Sequence, residues 1–206
     1  MQTLSEEEVR RLFTVTEGDE LNVLWVVLAS TGLRLGEACG LKWIDIDFEN
    51  NRLVVRRALQ RQKGVGQAFV EPKTAKSRRT VYFPPGTGDA LREHRRRQLE
   101  ARLQFPGEWQ NEGLIFTRSD GRPIEPANAA RLFDIALKKA GLKRVRIHDL
   151  RHSAASIHLA RGENPKVVQE MLGHSTIAAT MDIYSHVTPA LHAAVAGKMQ
   201  TLFANG

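Results

Sequence analysis

Residues 21–55 read LNVLWVVLASTGLRLGEACGLKWIDIDFENNRLVV, and within them the pattern changes from helical to extended. Leu21 to Ser30 is an apolar run that predicts a helix. Thr31-Gly32 ends it, because glycine takes the left-handed C-cap conformation at no steric cost. A second helix is expected from near Arg34 to about Leu41. From Trp43 onward Ile44, Ile46 and Phe48 alternate with Asp45 and Asp47. Glu49-Asn50-Asn51 then turns the chain into Leu53-Val54-Val55, which predicts a β-hairpin.

Upstream, Ser5 and Glu8 have capping-box spacing, and Leu4 and Val9 are placed as a hydrophobic staple, so a helix starts with the first residues. Downstream, two short strands are expected at about Gln67 to Pro72 and Arg79 to Phe83, separated by the polar turn Thr74 to Arg78. Beyond Gly86 the chain reads as helical, with starts near Gly88, Pro126, His148, Pro165, Ser175 and Pro189. Exceptions are a short strand at Leu114-Ile115-Phe116 and a surface loop from Phe105 to Gly113. The expected class is mainly α with a small antiparallel β-sheet (α+β), in one domain spanning 1–206.

Lys and Arg number 30 against 23 Asp and Glu, a net charge of +7 that leans toward a polyanionic partner. Cys39 is the only cysteine, which excludes an internal disulfide and fits a reducing compartment. Nothing beside it stabilises a thiolate, so it reads as a small packed residue. No run approaches the ~20 apolar residues of a membrane span, and the first residues are acidic where a signal peptide is basic and then apolar. The expectation is a soluble, cytoplasmic protein.

Three clusters carry chemistry. Thr31 to Glu37 puts Arg34 at a helix N-terminus, where free backbone N–H groups already favour an anion, with Glu37 one turn on to orient the guanidinium. Read in isolation, the same spacing describes a surface ion pair. Arg146-Ile147-His148-Asp149-Leu150-Arg151-His152 places a histidine and an arginine on one face of a helix start, a combination suited to proton transfer beside a bound phosphate. His148 and His152 also have zinc-helix spacing. That reading fails because Asp149 stands where the metal motif wants Glu and Arg151 sets a positive charge beside the supposed cation. In the third cluster Gly173 ends a helix, His174 occupies the turn, Ser175 can cap the next helix and Tyr184 falls near its end. A lone tyrosine there reads as half-buried core.

Together, Thr-Gly-Leu-Arg-Leu-Gly-Glu at 31–37, His-Asp-Leu-Arg-His at 148–152, Leu-Gly-His-Ser at 172–175 and Tyr184 resemble the tyrosine recombinases of the phage-integrase type, in order and approximate spacing. The resemblance runs from about Leu4 to Phe203. It implies a catalytic domain that breaks and rejoins double-stranded DNA through a 3′-phosphotyrosine, with no cofactor and no metal. Arg34, Arg151 and His174 would bind the non-bridging oxygens of the scissile phosphate, Tyr184 would attack, and His148 would accept its proton. A hairpin lysine would protonate the leaving 5′-oxygen. Lys73, beside Pro72 and Thr74, resembles that position better than Lys76, and Lys76, Arg78 and Arg79 read as a basic turn tracking the DNA backbone. Family members act as DNA-bound tetramers, and the stripe Leu191, Val195, Met199 and Leu202 is expected to dock on a neighbouring protomer, with the protein on the nucleoid when bound to DNA.

Family members carry a separate N-terminal DNA-binding domain, and the expectation is that it is absent from this chain, which reads from the catalytic domain's first helix. Two alternatives share part of the pattern. A type IB topoisomerase uses similar chemistry, but His148 and the Leu172-Gly173-His174 motif favour the recombinase. A DNA-binding remnant without catalysis fits poorly with competent residues at all six positions. A metal-dependent nuclease would need a carboxylate cluster with ligand spacing, and the sequence offers none.

Overall fold

A computed structural model of the chain describes residues 2–71 and 78–185. The elements run α1 (Glu6–Val15), α2 (Asn22–Thr31), α3 (Leu35–Cys39), a 3₁₀ turn (Trp43–Asp45), β1 (Ile46–Asp47), β2 (Arg52–Val55), β3 (Ala58–Gln62), β4 (Gly66–Val70) and β5 (Arg79–Tyr82). Then come α4 (Pro85–Gln104), α5 (Pro126–Lys139), α6 (Ile147–Ala160), α7 (Pro165–Leu172) and α8, residues 178–185. The fold is mostly helical with a small antiparallel sheet, as expected.

The helix ends follow the capping chemistry read from the sequence. Ser5 Oγ accepts from the Glu8 N–H at 3.2 Å and the Glu8 carboxylate accepts from the Ser5 N–H at 2.7 Å, which closes the capping box of α1. Gly32 caps α2 in the left-handed conformation at φ 61°. Because α2 buries Leu24, Trp25, Val27, Leu28 and Ala29, it has almost no solvent face and packs against α4 and α6 as the central helix. Trp25 meets Phe133 of α5 with ring centroids 5.2 Å apart. Each such buried side chain contributes about 1.5–3 kcal/mol of transfer free energy. The N-terminal segment is tied to α6 as well, the Leu4 N–H donating to the buried Ser153 hydroxyl at 2.9 Å.

The main core runs through α1–α6 and the sheet. A satellite cluster of Ala155, Leu159, Val168, Leu172 and Ile183, joined by Met171 and Tyr184, holds α8 against α6 and α7. Helix α6 contributes Leu150 to the first and Ala155 and Leu159 to the second. The segment bearing Tyr184 is thus anchored on the same helix pair that flanks the third sequence cluster.

The sheet departs from expectation. The three-stranded sheet has the order β1-β2-β5, and β3 pairs with β4 in a separate antiparallel ribbon that the sequence did not predict. The expected strands at 67–72 and 79–83 are β4 and β5, but each pairs elsewhere, so they do not form a hairpin with one another. Trp43–Asp45 is a 3₁₀ turn, which leaves Ile44 84% exposed instead of alternating inward. Leu114, Ile115 and Phe116 are buried but make only one bridge, Lys42 to Leu114. Helix α4 begins at Pro85, before the expected Gly88, and α8 begins at 178 instead of near Ser175. The helix expected from Pro189 lies outside the described residues. No helix among the described residues is long and apolar enough to cross a membrane.

Helix α3 lies directly on β3. A Cβ on Gly36 would sit 2.7 Å from the Leu59 carbonyl oxygen, so the glycine of the Arg34-Leu35-Gly36-Glu37 motif is a contact requirement. That contact sets the β3–β4 ribbon beside Arg34, and Arg34, Glu37, Arg57, Gln60, Arg61 and Pro126 line the groove between the ribbon and the start of α5.

Candidate active site

Arg34 is the N-cap of α3. Its own N–H donates to Glu37 Oε2 at 2.8 Å and its Nη1 to Oε1 at 3.0 Å, which is the orientation by Glu37 that the sequence suggests. The side chain remains 46% exposed. Arg151, in the first turns of α6, is almost fully buried, and its fork donates to the Gly32 carbonyl at 2.5 Å and the Leu172 carbonyl at 2.7 Å. Arg34 Nη2 reaches the next carbonyl, Gly173, at 3.3 Å. The two arginines therefore meet at the C-terminal end of α7, where unpaired carbonyls and the negative end of the helix dipole attract cations.

A third arginine, absent from the expected site, joins them. Arg79 donates from Nε to the Met171 carbonyl at 2.9 Å and from Nη1 and Nη2 to the two Glu37 carboxylate oxygens at 3.0 and 2.8 Å. The reading of Arg79 as part of a basic turn tracking the DNA backbone is corrected by this burial, its side chain being 7% exposed. The signal was present in the strand period: Val81 and Phe83 are buried while Thr80 and Tyr82 face out, so Arg79 takes the inward side of β5.

His174 follows the Gly173 cap. Its N–H donates to the Gln169 carbonyl at 3.1 Å, Gln169 Nε2 donates to its carbonyl at 3.2 Å, and its Nδ1 lies 2.9 Å from the buried Thr180 hydroxyl. Backbone and ring are both held, so the imidazole is preorganised. Burial, then Arg151 and Arg34, push His174 down to about 4. It is neutral at pH 7. When the Thr180 hydroxyl donates to Nδ1, the single ring proton resides on Nε2, which then acts as a donor.

His148 stands at the start of α6, its ring edge-to-face with His152 at 5.2 Å. Burial first and Arg151 next lower its pKa, which keeps it a neutral proton acceptor at pH 7. Arg151 is itself pushed down to about 9 by burial, Arg34 and Arg79. The guanidinium stays protonated under physiological conditions, and Glu37 is the carboxylate that opposes the charges of Arg34 and Arg79 beside it. For Glu37 burial opposes ionisation, but hydrogen bonds from Arg79 and the charges of Arg79 and Arg34 hold its carboxyl below the ordinary value. One carboxylate faces three guanidinium groups, an imbalance that favours an incoming anion.

Tyr184 is half-buried on α8 against the satellite cluster. Lys73 and Lys76 lie outside the described residues, so the structure places neither. Cys39 is fully buried and burial pushes its thiol up to about 12, in keeping with an inert packed residue.

His94, His148, His152, His158 and His174 are all pushed below their ordinary 6.5, with burial the largest cause in each. Each binds a proton less readily folded than unfolded. The stability they contribute is therefore complete above 6.5 and is lost as pH falls toward the folded values, about 4 for His174. The melting temperature is expected to be lower at pH ~5 than at pH ~7.5. Equal melting temperatures would contradict the histidine environments described.

The chain is 37% identical over 200 residues to a tyrosine recombinase XerC-like protein of Caldanaerobacter subterraneus, the match covering 92% of this chain and 51% of that one. It is 31% identical over 192 residues to tyrosine recombinase XerA of Pyrococcus furiosus, covering 91% and 58%. The chain thus spans about half the length of these curated relatives. Among solved structures, it resembles the XerA recombinase with a TM-score of 0.75 at 28% identity, over 96% of this chain and 65% of that one. It also resembles the Tn1549 transposon integrase in complex with circular intermediate DNA, with a TM-score of 0.78 at 27% identity, over 98% and 67%. The sequence model of the phage integrase family matches residues 2–190, which include every described residue, and the chain belongs to that family.

Proposed function

We propose that this chain carries the strand-cleaving centre of a site-specific DNA recombinase. The observation that supports it most is the convergence of Arg34 and Arg151 on the carbonyls that precede His174, a cationic cluster in which Arg34 and Arg79 share the Glu37 carboxylate and Arg151 is held by backbone carbonyls. In the proposed reaction these three side chains bind the non-bridging oxygens of the scissile phosphate and stabilise the charge that builds there. The Tyr184 oxygen forms a bond to phosphorus as the bond to the 5′-oxygen breaks. His148 takes the phenol proton, which at neutral pH would otherwise stay on a group of pKa ~10. Lys73 supplies a proton to the departing 5′-oxygen. The 3′-phosphotyrosine keeps the energy of the broken phosphodiester, so rejoining needs neither a nucleotide nor a metal.

The test is covalent capture. The chain is incubated in EDTA with a random-sequence library of nicked duplexes, and protein–DNA adducts are separated on a denaturing gel. A covalent band is expected; DNA binding without any adduct would support a binding role alone. Plasmid relaxation with no exchange between captured sites would favour a topoisomerase-like strand transferase.

Lys73→Ala is expected to lose cleavage of the ordinary substrate and regain it when the leaving 5′-oxygen is replaced by sulfur, because a thiolate departs without a proton. Lys76→Ala should cleave the ordinary substrate. Sulfur rescue of Lys76→Ala instead would move the general acid to that residue.

We further propose that the active assembly is a DNA-bound tetramer in which Leu191, Val195, Met199 and Leu202 dock on a neighbouring protomer. Their spacing of four, four and three residues forms one apolar stripe if helical. Truncation after Thr188 should preserve folding and single-site cleavage while reducing exchange between two sites. A truncated chain that is unfolded by circular dichroism would assign the stripe to the protein's own core.

A further inference from the structure

Arg79 takes no part in the chemistry set out above, yet its side chain is only 7% exposed and every hydrogen bond described for it runs inward. It grips Glu37 with both terminal nitrogens in the bidentate geometry that only a guanidinium provides. Glu37 in turn holds Arg34 through the backbone N–H and the guanidinium together. The remaining nitrogen of Arg79, Nε, is bound to the Met171 carbonyl, in the last turn of α7 and three residues before His174. One side chain on β5 thereby links the helix start that carries Arg34 to the helix end that carries His174. The backbone leaves room for it: a Cβ at position 173 would stand 3.0 Å from Cδ, Nε and Nη1 of Arg79, and Gly173 has φ +67°. Glycine at 173 is thus required by the turn and by the guanidinium lying against it.

We infer that Arg79 is a positioning residue for strand cleavage, acting through Glu37 on Arg34 and through the Met171 carbonyl on the turn that bears His174. The inference rests on the proposed roles of Arg34 and His174. A displacement of about 1 Å at a phosphate-binding group is enough to slow a reaction by about 10²-fold, and Arg79 fixes two such groups at once. Charge alone cannot replace it, because the donors of an ammonium all leave one nitrogen and lack the planar spread by which the guanidinium reaches both Glu37 oxygens and the Met171 carbonyl.

The test uses a nicked duplex captured from the random library by the unaltered chain, with the single-turnover rate of adduct formation, DNA affinity and melting temperature as readouts. Arg79→Met should slow adduct formation by about 30- to 100-fold with affinity changed less than about threefold. In an Arg34→Ala background the same change should add less than about fivefold, since much of its effect runs through a group already removed. Arg79→Lys should recover less than about a tenth of the rate. If Arg79→Met does not fold, Arg79→Lys and Glu37→Gln take its place and should show the same non-additivity with Arg34→Ala. Fully multiplicative losses, or a normal rate in Arg79→Lys with only the melting temperature lowered, would make Arg79 a fold contact and overturn the inference. Absence of any adduct from the unaltered chain, or a full rate from Arg34→Ala, would overturn the site assignment itself and this inference with it.

Discussion

Tyr184→Phe is expected to form no covalent adduct with DNA while binding DNA as the unaltered chain does. The substitution removes one oxygen and keeps the ring that packs with Met171 against Ala155, Leu159, Val168, Leu172 and Ile183. Stability should change by no more than about 1 kcal/mol, the scale of a single hydrogen bond. The chemical loss is complete, because without the phenolic oxygen there is no nucleophile to form the phosphotyrosine. The chain has two tyrosines, and the other, Tyr82, is 65% exposed on the face of β5 opposite to Arg79. It is a poor substitute. Adduct formation on a denaturing gel, with DNA affinity measured in parallel, separates loss of chemistry from loss of binding.

Loss of Arg34 or Arg151 should slow adduct formation by about 10²-fold or more, the usual effect of removing a preorganised group that stabilises transition-state charge. Lysine should not restore the rate at either position, since an ammonium lacks the planar bidentate fork of a guanidinium. The two sites should differ in stability. Arg34 is 46% exposed and its replacement leaves Glu37 still paired with Arg79, so folding should be little affected. Arg151 is 3% exposed, and its loss strands the Gly32 and Leu172 carbonyls in the interior, so Arg151→Ala should also lower the melting temperature. A near-normal rate in Arg151→Lys would reduce that residue to a structural contact.

The parts of the fold that were legible in the sequence are those governed by local chemistry. Ser5 with Glu8, Gly32 and Gly173 marked helix ends because a cap or a positive φ leaves a residue-level trace. Strand β3 left none. Leu59 is the one buried residue in β3, so no apolar alternation announces the strand. The opposite error arose at Leu114 to Phe116, where burial against the helices imitates a core strand.

The site divides in the same way. Arg34, His148, Arg151 and His174 stood out as candidates from motif and spacing, and the structure brings Arg34, Arg151 and His174 around the end of α7, with His148 near enough for the charges of both arginines to act on it. Arg79 was hidden because it sits among Lys76, Arg78 and Thr80, where composition suggests solvent. Only the register of β5, which turns Arg79 and Val81 to one side, reveals that it faces Glu37.

The most direct test of the account is to digest the covalent adduct with nuclease and protease and identify the nucleotide-linked peptide by mass spectrometry. A single peptide with a 3′-phosphonucleotide on Tyr184 is expected. Attachment to Tyr82 or to a serine, or linkage through a 5′-phosphate, would contradict it.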